Sequence, residues 1–140
     1  MTTVDEGPRS TVAGNAVRLD ALPAGAAEAR DLTATYLSGH RDRVPGPVLD
    51  DVLLVVSELV TNALRHAGGV TGMSVALRRG GVEVTVQDGS RKRPVARHHG
   101  ANWLPGGYGW QMVSRLAKAC VLPLGADGKL VRATVPLHRA

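Results

Sequence analysis

Residues 48–67 read VLDDVLLVVSELVTNALRHA. Set at 100° per residue, Val52, Val55, Val56, Leu59 and Ala63 fall within about 50° of one line, the stripe of a helix that buries one side. Pro45-Gly46-Pro47 breaks the chain ahead of this stretch and Gly68-Gly69 closes it, so the spacing predicts a helix from Val48 to about Ala67.

Working outward, the period changes on both sides. Downstream, Met73, Val75 and Leu77 share one face, and after Gly80-Gly81 so do Val82, Val84 and Val86. That alternation reads as a hairpin. Upstream, Val12 to Leu19 reads as a first strand, interrupted in quality by Gly14 and Asn15, and Pro23 opens a helix to about Ser38. Residues 89–106 keep no period and carry Arg91, Lys92, Arg93 and Arg97. A loop of that length in a compact domain is usually functional or disordered. A short helix over Trp110 to Ala119 is expected next, with Met112, Val113, Leu116 and Ala117 on one face. Val121 to Leu124 and Val131 to Leu137 read as closing strands around Asp127-Gly128. The order β-α-α-β-β-loop-α-β-β predicts an α+β two-layer sandwich, a mixed, mostly antiparallel sheet covered on one face by about three helices.

The 140 residues fit one domain, expected over 11–140 behind a polar tail at 1–10. Apolar residues make up 44% and charged residues 21%, a globular rather than a disordered balance. The longest run of large apolar residues is Val52 to Val56, and Met1 to Ser10 has no apolar signal region, so a membrane span is not expected and the cytoplasm is the default. One cysteine, Cys120, excludes an internal disulfide framework and a Cys-pair metal site. Seventeen basic against twelve acidic residues give +5, which favours acidic partners. With Tyr36, Trp103, Tyr108 and Trp110 as the whole aromatic complement, base-stacking platforms are scarce, so nucleic acid is the weakest partner class.

Three constellations carry chemistry. Glu58, Asn62 and His66 follow i, i+4, i+8 along one edge of the helix stripe, where the core meets solvent. An amide oxygen there can ligate a metal, and a carboxylate beside it can accept a proton. The same spacing also suits a solvated flank, with His66 favouring the helix C-terminus. Asp88 shares inward parity with Val84 and Val86 at a strand end, able to accept a hydrogen bond from an exocyclic amine, with Gly89 allowing close approach. Asp-Gly is equally a turn signal. Gly106-Gly107-Tyr108-Gly109 precedes the short helix, where backbone N–H groups can meet phosphate oxygens, or where a plain hinge can sit. The chain has no GxxxxGK[ST], so this is not a P-loop.

Taken in order, these residues resemble the nucleotide-binding domain of the GHKL ATPase superfamily, shared by gyrases, heat-shock chaperones, histidine kinases and mismatch-repair ATPases. More narrowly, residues 57–67, SELVTNALRHA, look like the first box of the anti-sigma-factor serine/threonine kinases and their short stand-alone bacterial relatives. Asp88-Gly89-Ser90 is similar to the second box, and Gly107-Tyr108-Gly109-Trp110-Gln111-Met112-Val113 to the third, with Trp110 where leucine is usual. The resemblance spans about residues 12–137 and implies a Bergerat-type ATP-binding fold. It further implies Mg²⁺ on Asn62, bridging the phosphates of ATP, and Glu58 as the general base. Asp88 would hold the adenine amine beside Gly89, and Gly107 and Gly109 would line a phosphate lid with Tyr108 and Trp110 close by. Arg65 and His66 match the first box as further nucleotide-side residues.

The function so implied is an ATP-dependent serine/threonine kinase regulating transcription. It would phosphorylate an anti-sigma-factor antagonist while holding a sigma factor. Since no phosphoacceptor domain precedes the first box, a stand-alone domain is expected, and relatives often pair as homodimers. The alternative is a protein-binding module gated by nucleotide without useful catalysis. A basic nucleic-acid adaptor rests on net charge alone.

Overall fold

The computed structural model of the chain describes residues 9–13, 16–90 and 107–138. The basic loop expected over 91–106 therefore lies outside the described residues, as do the tail at 1–8 and the side chain of Tyr108.

In chain order the elements are β1 (Arg9–Ala13), β2 (Ala16–Ala21), α1 (Ala26–Ser38), α2 (Gly46–Ala67), β3 (Val70–Arg78), β4 (Gly81–Asp88), α3 (Gly107–Leu116), β5 (Lys118–Pro123) and β6 (Lys129–Val135). A single 3₁₀ turn, Gly125–Asp127, separates the last two strands. The six strands form one sheet in the order β1-β2-β3-β4-β6-β5, antiparallel at every pairing. The architecture is the expected α+β sandwich.

Why the core sits where it does follows from two periodicities. On β4 the inward residues are Val82, Val84 and Val86, and their cross-strand partners on β6 are Val135, Ala133 and Val131. Those on β3 are Leu77, Val75 and Met73. All nine are buried. Onto this surface α2 lays Val48, Val52, Val55, Val56, Leu59, Val60 and Ala63, the expected stripe with Val48 and Val60 added, each under 4% exposed. At about 1.5–3 kcal/mol for each fully buried large side chain, this contact is the principal stabilising layer. The α1 helix rests against α2, and Tyr36 reaches the sheet, its hydroxyl accepting the Leu77 N–H at 3.3 Å. Burial raises the Tyr36 phenol above its ordinary 10.0, more than the Leu77 N–H and the charges of Arg43 and Arg78 lower it.

Element boundaries moved for local reasons. The α2 helix starts at Gly46, two residues early, because Pro47 in the first turn has no N–H to satisfy. Its C-terminus is as expected: Gly68 takes a left-handed φ of 77°, and the Gly69 N–H donates to Ala63 O at 3.2 Å. The α1 helix opens at Ala26 rather than Pro23, and Glu28 accepts the Ala24 N–H just ahead of it.

The single first strand is in fact two, pairing Val12 with Val17 and Ala13 with Ala16. Gly14 and Asn15 lie outside the described residues, and Arg9 and Ser10 leave the tail for β1. The third helix runs from Gly107 to Leu116 instead of Trp110 to Ala119. Its final turn closes with Ala117 N–H on Val113 O, and Lys118 to Cys120 are taken by backbone pairing to β6. Met112, expected on the buried face, is 38% exposed, while Val113 is buried and Trp110, Leu116 and Ala117 pack at the core margin.

Candidate functional site

The site is built where α2, the start of α3 and the paired ends of β4 and β6 meet the core. Glu58 and Asn62 lie one turn apart on α2, both half-buried at the edge of its apolar stripe. Neither side chain makes a hydrogen bond among the described residues. Polar groups at a core margin normally find partners, so a carboxylate and an amide left open together are available to a ligand. Just ahead of them, Ser57 Oγ accepts from Arg30 Nη1 of α1 at 2.9 Å, which ties the first box to the neighbouring helix.

The third box meets the first directly. Gly109 is buried in the first turn of α3 against the Glu58 carboxylate. A Cβ there would touch Glu58 Oε1 and lie 2.7 Å from its Cδ and 3.2 Å from its Cγ. Only glycine lets the helix start come this close with the Glu58 carboxylate left where it is. Gly107 and Gly109 sit inside the helix rather than ahead of it, with Gly107 as its first residue, while Gly106 lies outside the described residues. The four leading N–H groups of that helix lack intrahelical acceptors, a feature suited to phosphate oxygens.

This packing makes a prediction. Gly109→Ala places its methyl against the movable end of a side chain. Stability should change by no more than about 1 kcal/mol, as helix propensity offsets the displaced rotamer. Any reaction needing Glu58 in place should slow about tenfold or more, given the cost of misplacing a catalytic group by an ångström. A thermal melt and a turnover assay on one preparation check both halves.

At the other end, Asp88 is buried as its parity predicts, 3% exposed. It is not, however, a vacant acceptor. Lys129 Nζ donates to Oδ1 and to Oδ2 at 3.0 Å each, and the Ser90 N–H donates to Oδ1 at 2.8 Å. Lys129 is itself only 4% exposed. Gly128, at φ 99°, lies so close to the end of β4 that a Cβ there would overlap the Asp88 carbonyl oxygen and come within 2.7 Å of Gly89 Cα. Among the described residues nothing lies within 4 Å of the Cβ position of Gly89, which suits the close approach of a flat ligand.

Sequence reasoning missed Gly128 and Lys129. The signal was present in Lys129, the one charged residue in inward phase with Val131, Ala133 and Val135. Arg65 and His66 are exposed in the last turn of α2, a favourable place for cations at a helix C-terminus, and the structure brings neither to Glu58 or Asp88 through a hydrogen bond. Trp110 is half-buried with its ring against the core.

Elsewhere, an open depression of about 460 Å³ on the opposite side of the sheet is lined by Arg18, Asp20, Arg78, Glu83 and Arg132 and contains none of these residues. Among the described residues no helix is long and apolar enough to cross a membrane.

Comparison with known families agrees with this geometry. The model of the histidine kinase-like ATPase domain matches residues 19–135, from the second strand to the end of the last. The chain belongs to that family, and its domain is an ATP-binding one. No curated protein matches the chain closely enough to be counted a relative.

Proposed function

We propose that the protein is an ATP-dependent serine/threonine kinase of the anti-sigma type, acting on a regulatory protein partner. The observation that carries this reading is Glu58, an open carboxylate held by Gly109 at the start of α3 and one turn from Asn62. In the transfer, the partner's hydroxyl oxygen bonds to the γ-phosphorus as the bond from that phosphorus to the bridging oxygen breaks. The hydroxyl proton passes to a Glu58 oxygen, and ADP leaves with the electron pair. Glu58 then returns the proton to solvent.

The donor set also suits Mg²⁺, which usually keeps several waters and takes only one or two protein ligands beside substrate phosphates. The uncommitted Asn62 oxygen would be that ligand, and the ion would neutralise phosphate charge. Phosphate oxygens would meet the N–H groups opening α3, and the base would lie at Asp88 and Gly89. The protein partners of this reading are an anti-sigma-factor antagonist as substrate and a sigma factor as the bound client.

Asn62→Ala tests the metal assignment. Mg²⁺-dependent ATP affinity should fall at least about tenfold, the loss seen even for groups behind a metal ligand. The fold should hold, since Asn62 adds little to the core stripe. Calorimetric titration with and without Mg²⁺ measures it, and parental affinity at parental stability would remove Asn62 from the metal. Transfer of labelled phosphate to candidate partners tests the kinase itself.

A further inference from the structure

Asp88 and Lys129 face each other in register at the end of β4 and the start of β6. They extend the inward ladder of Val82–Val135, Val84–Ala133 and Val86–Val131 by one more rung. A lysine is almost never fully buried unless paired, and here both partners are under 5% exposed. Two of the three Nζ–H bonds go to Asp88. The third has no acceptor among the described residues. Among the described residues Asp88 Oδ2 accepts only from Lys129 and so has capacity left. Among the described residues the base end thus presents one spare donor beside one spare acceptor, next to Gly89, whose Cβ position none of them approaches within 4 Å.

A lone carboxylate accepts from the 6-amino group of adenine but repels the carbonyl of a 6-oxo purine. An ammonium beside it removes that repulsion. With adenine, the 6-amino group donates to Oδ2 and Nζ donates to N1. With hypoxanthine or guanine the donor and acceptor exchange places on the base edge, so the base turns over, and N1–H then donates to Oδ2 while Nζ donates to O6. We propose that Lys129 is a base-reading residue and that, through it, this site takes 6-oxo purine nucleoside triphosphates as well as ATP. The proposal rests on the reading of this site as a nucleotide site.

Titration of the unmodified protein with ATP, ITP and 1-deaza-ATP, each with Mg²⁺, tests it. ITP should bind within about tenfold of ATP, and 1-deaza-ATP, which lacks the N1 acceptor, should bind about 10- to 100-fold more weakly, the range for losing a hydrogen bond to a charged group. In Lys129→Met, ITP should weaken against ATP by a similar factor. ATP binding with ITP more than about 100-fold weaker in the parent, or with 1-deaza-ATP as tight as ATP, overturns the role of Lys129 alone. Failure of every nucleotide to bind overturns the nucleotide site and this inference with it. Because two of the three measurements use the parent, the test survives if Lys129→Met does not fold.

Discussion

Glu58→Gln is expected to bind Mg-ATP and its partner as the parent does while transferring phosphate at least about 100-fold more slowly, the lower end of what a positioned general base contributes. At 1.36 kcal/mol per decade, the upper end of about 10⁴-fold corresponds to a barrier change of roughly 5 kcal/mol. The substitution keeps the shape of the side chain against Gly109, where the carboxylate makes its close contact. It also leaves Asn62, one turn along the same helix, in place. Glu58 makes no hydrogen bond among the described residues, so an amide there strands no buried partner. The loss should therefore appear in the rate and not in the melt. Single-turnover transfer at saturating Mg-ATP and partner is the decisive measurement. Equal rates in parent and variant would take Glu58 out of the chemistry. A parent inert toward a panel of partners, yet binding them differently with and without ATP, would favour the nucleotide-gated binding module.

The features legible in the sequence were those set by local period. The α2 stripe could be read from residues 48–67 because every buried position there answers to one helix face and to a proline and a glycine at its ends. The inward parity of Asp88 was legible in the same way, by counting from Val82 along one strand. The limits of α3 were not, because Lys118 and Ala119 suit a helix as well as a strand, and it is backbone pairing to Thr134 and Ala133 that decides between them. The split of the first strand was hidden for a related reason. Val12 and Leu19 are both strand-like, and only the antiparallel pairing of Val12 with Val17 and Ala13 with Ala16 assigns them to two strands.

The state of Asp88 was the largest omission. Its partner Lys129 stands 41 positions away, beyond the reach of any periodicity. The contact of Gly109 with Glu58 likewise joins two motifs that stand far apart along the chain. What a local pattern cannot supply is which two elements meet, and at this site those meetings carry the chemistry.

The buried pair gives the largest expected effect on stability. Asp88→Ala leaves the Lys129 ammonium charged, 4% exposed and without its counter-ion. Breaking a buried pair by removing one member costs about 3–5 kcal/mol, because the remaining charge keeps its desolvation penalty. Against a typical total of about 5–15 kcal/mol, that is enough to bring the domain close to unfolding. Replacing both members by apolar residues is often neutral, so Asp88→Leu combined with Lys129→Met should recover most of the loss. The neighbouring rungs are Val82–Val135, Val84–Ala133 and Val86–Val131, and an apolar pair continues that ladder without a break. Nucleotide affinity should not recover with stability, since neither donor nor acceptor remains at the base end. Urea denaturation of the parent, both single variants and the double variant measures the coupling between the two residues. A cost below about 1 kcal/mol for Asp88→Ala would place the pair among solvent-screened surface bridges. A double variant as stable as the parent but still binding ATP normally would separate the ion pair from base recognition altogether.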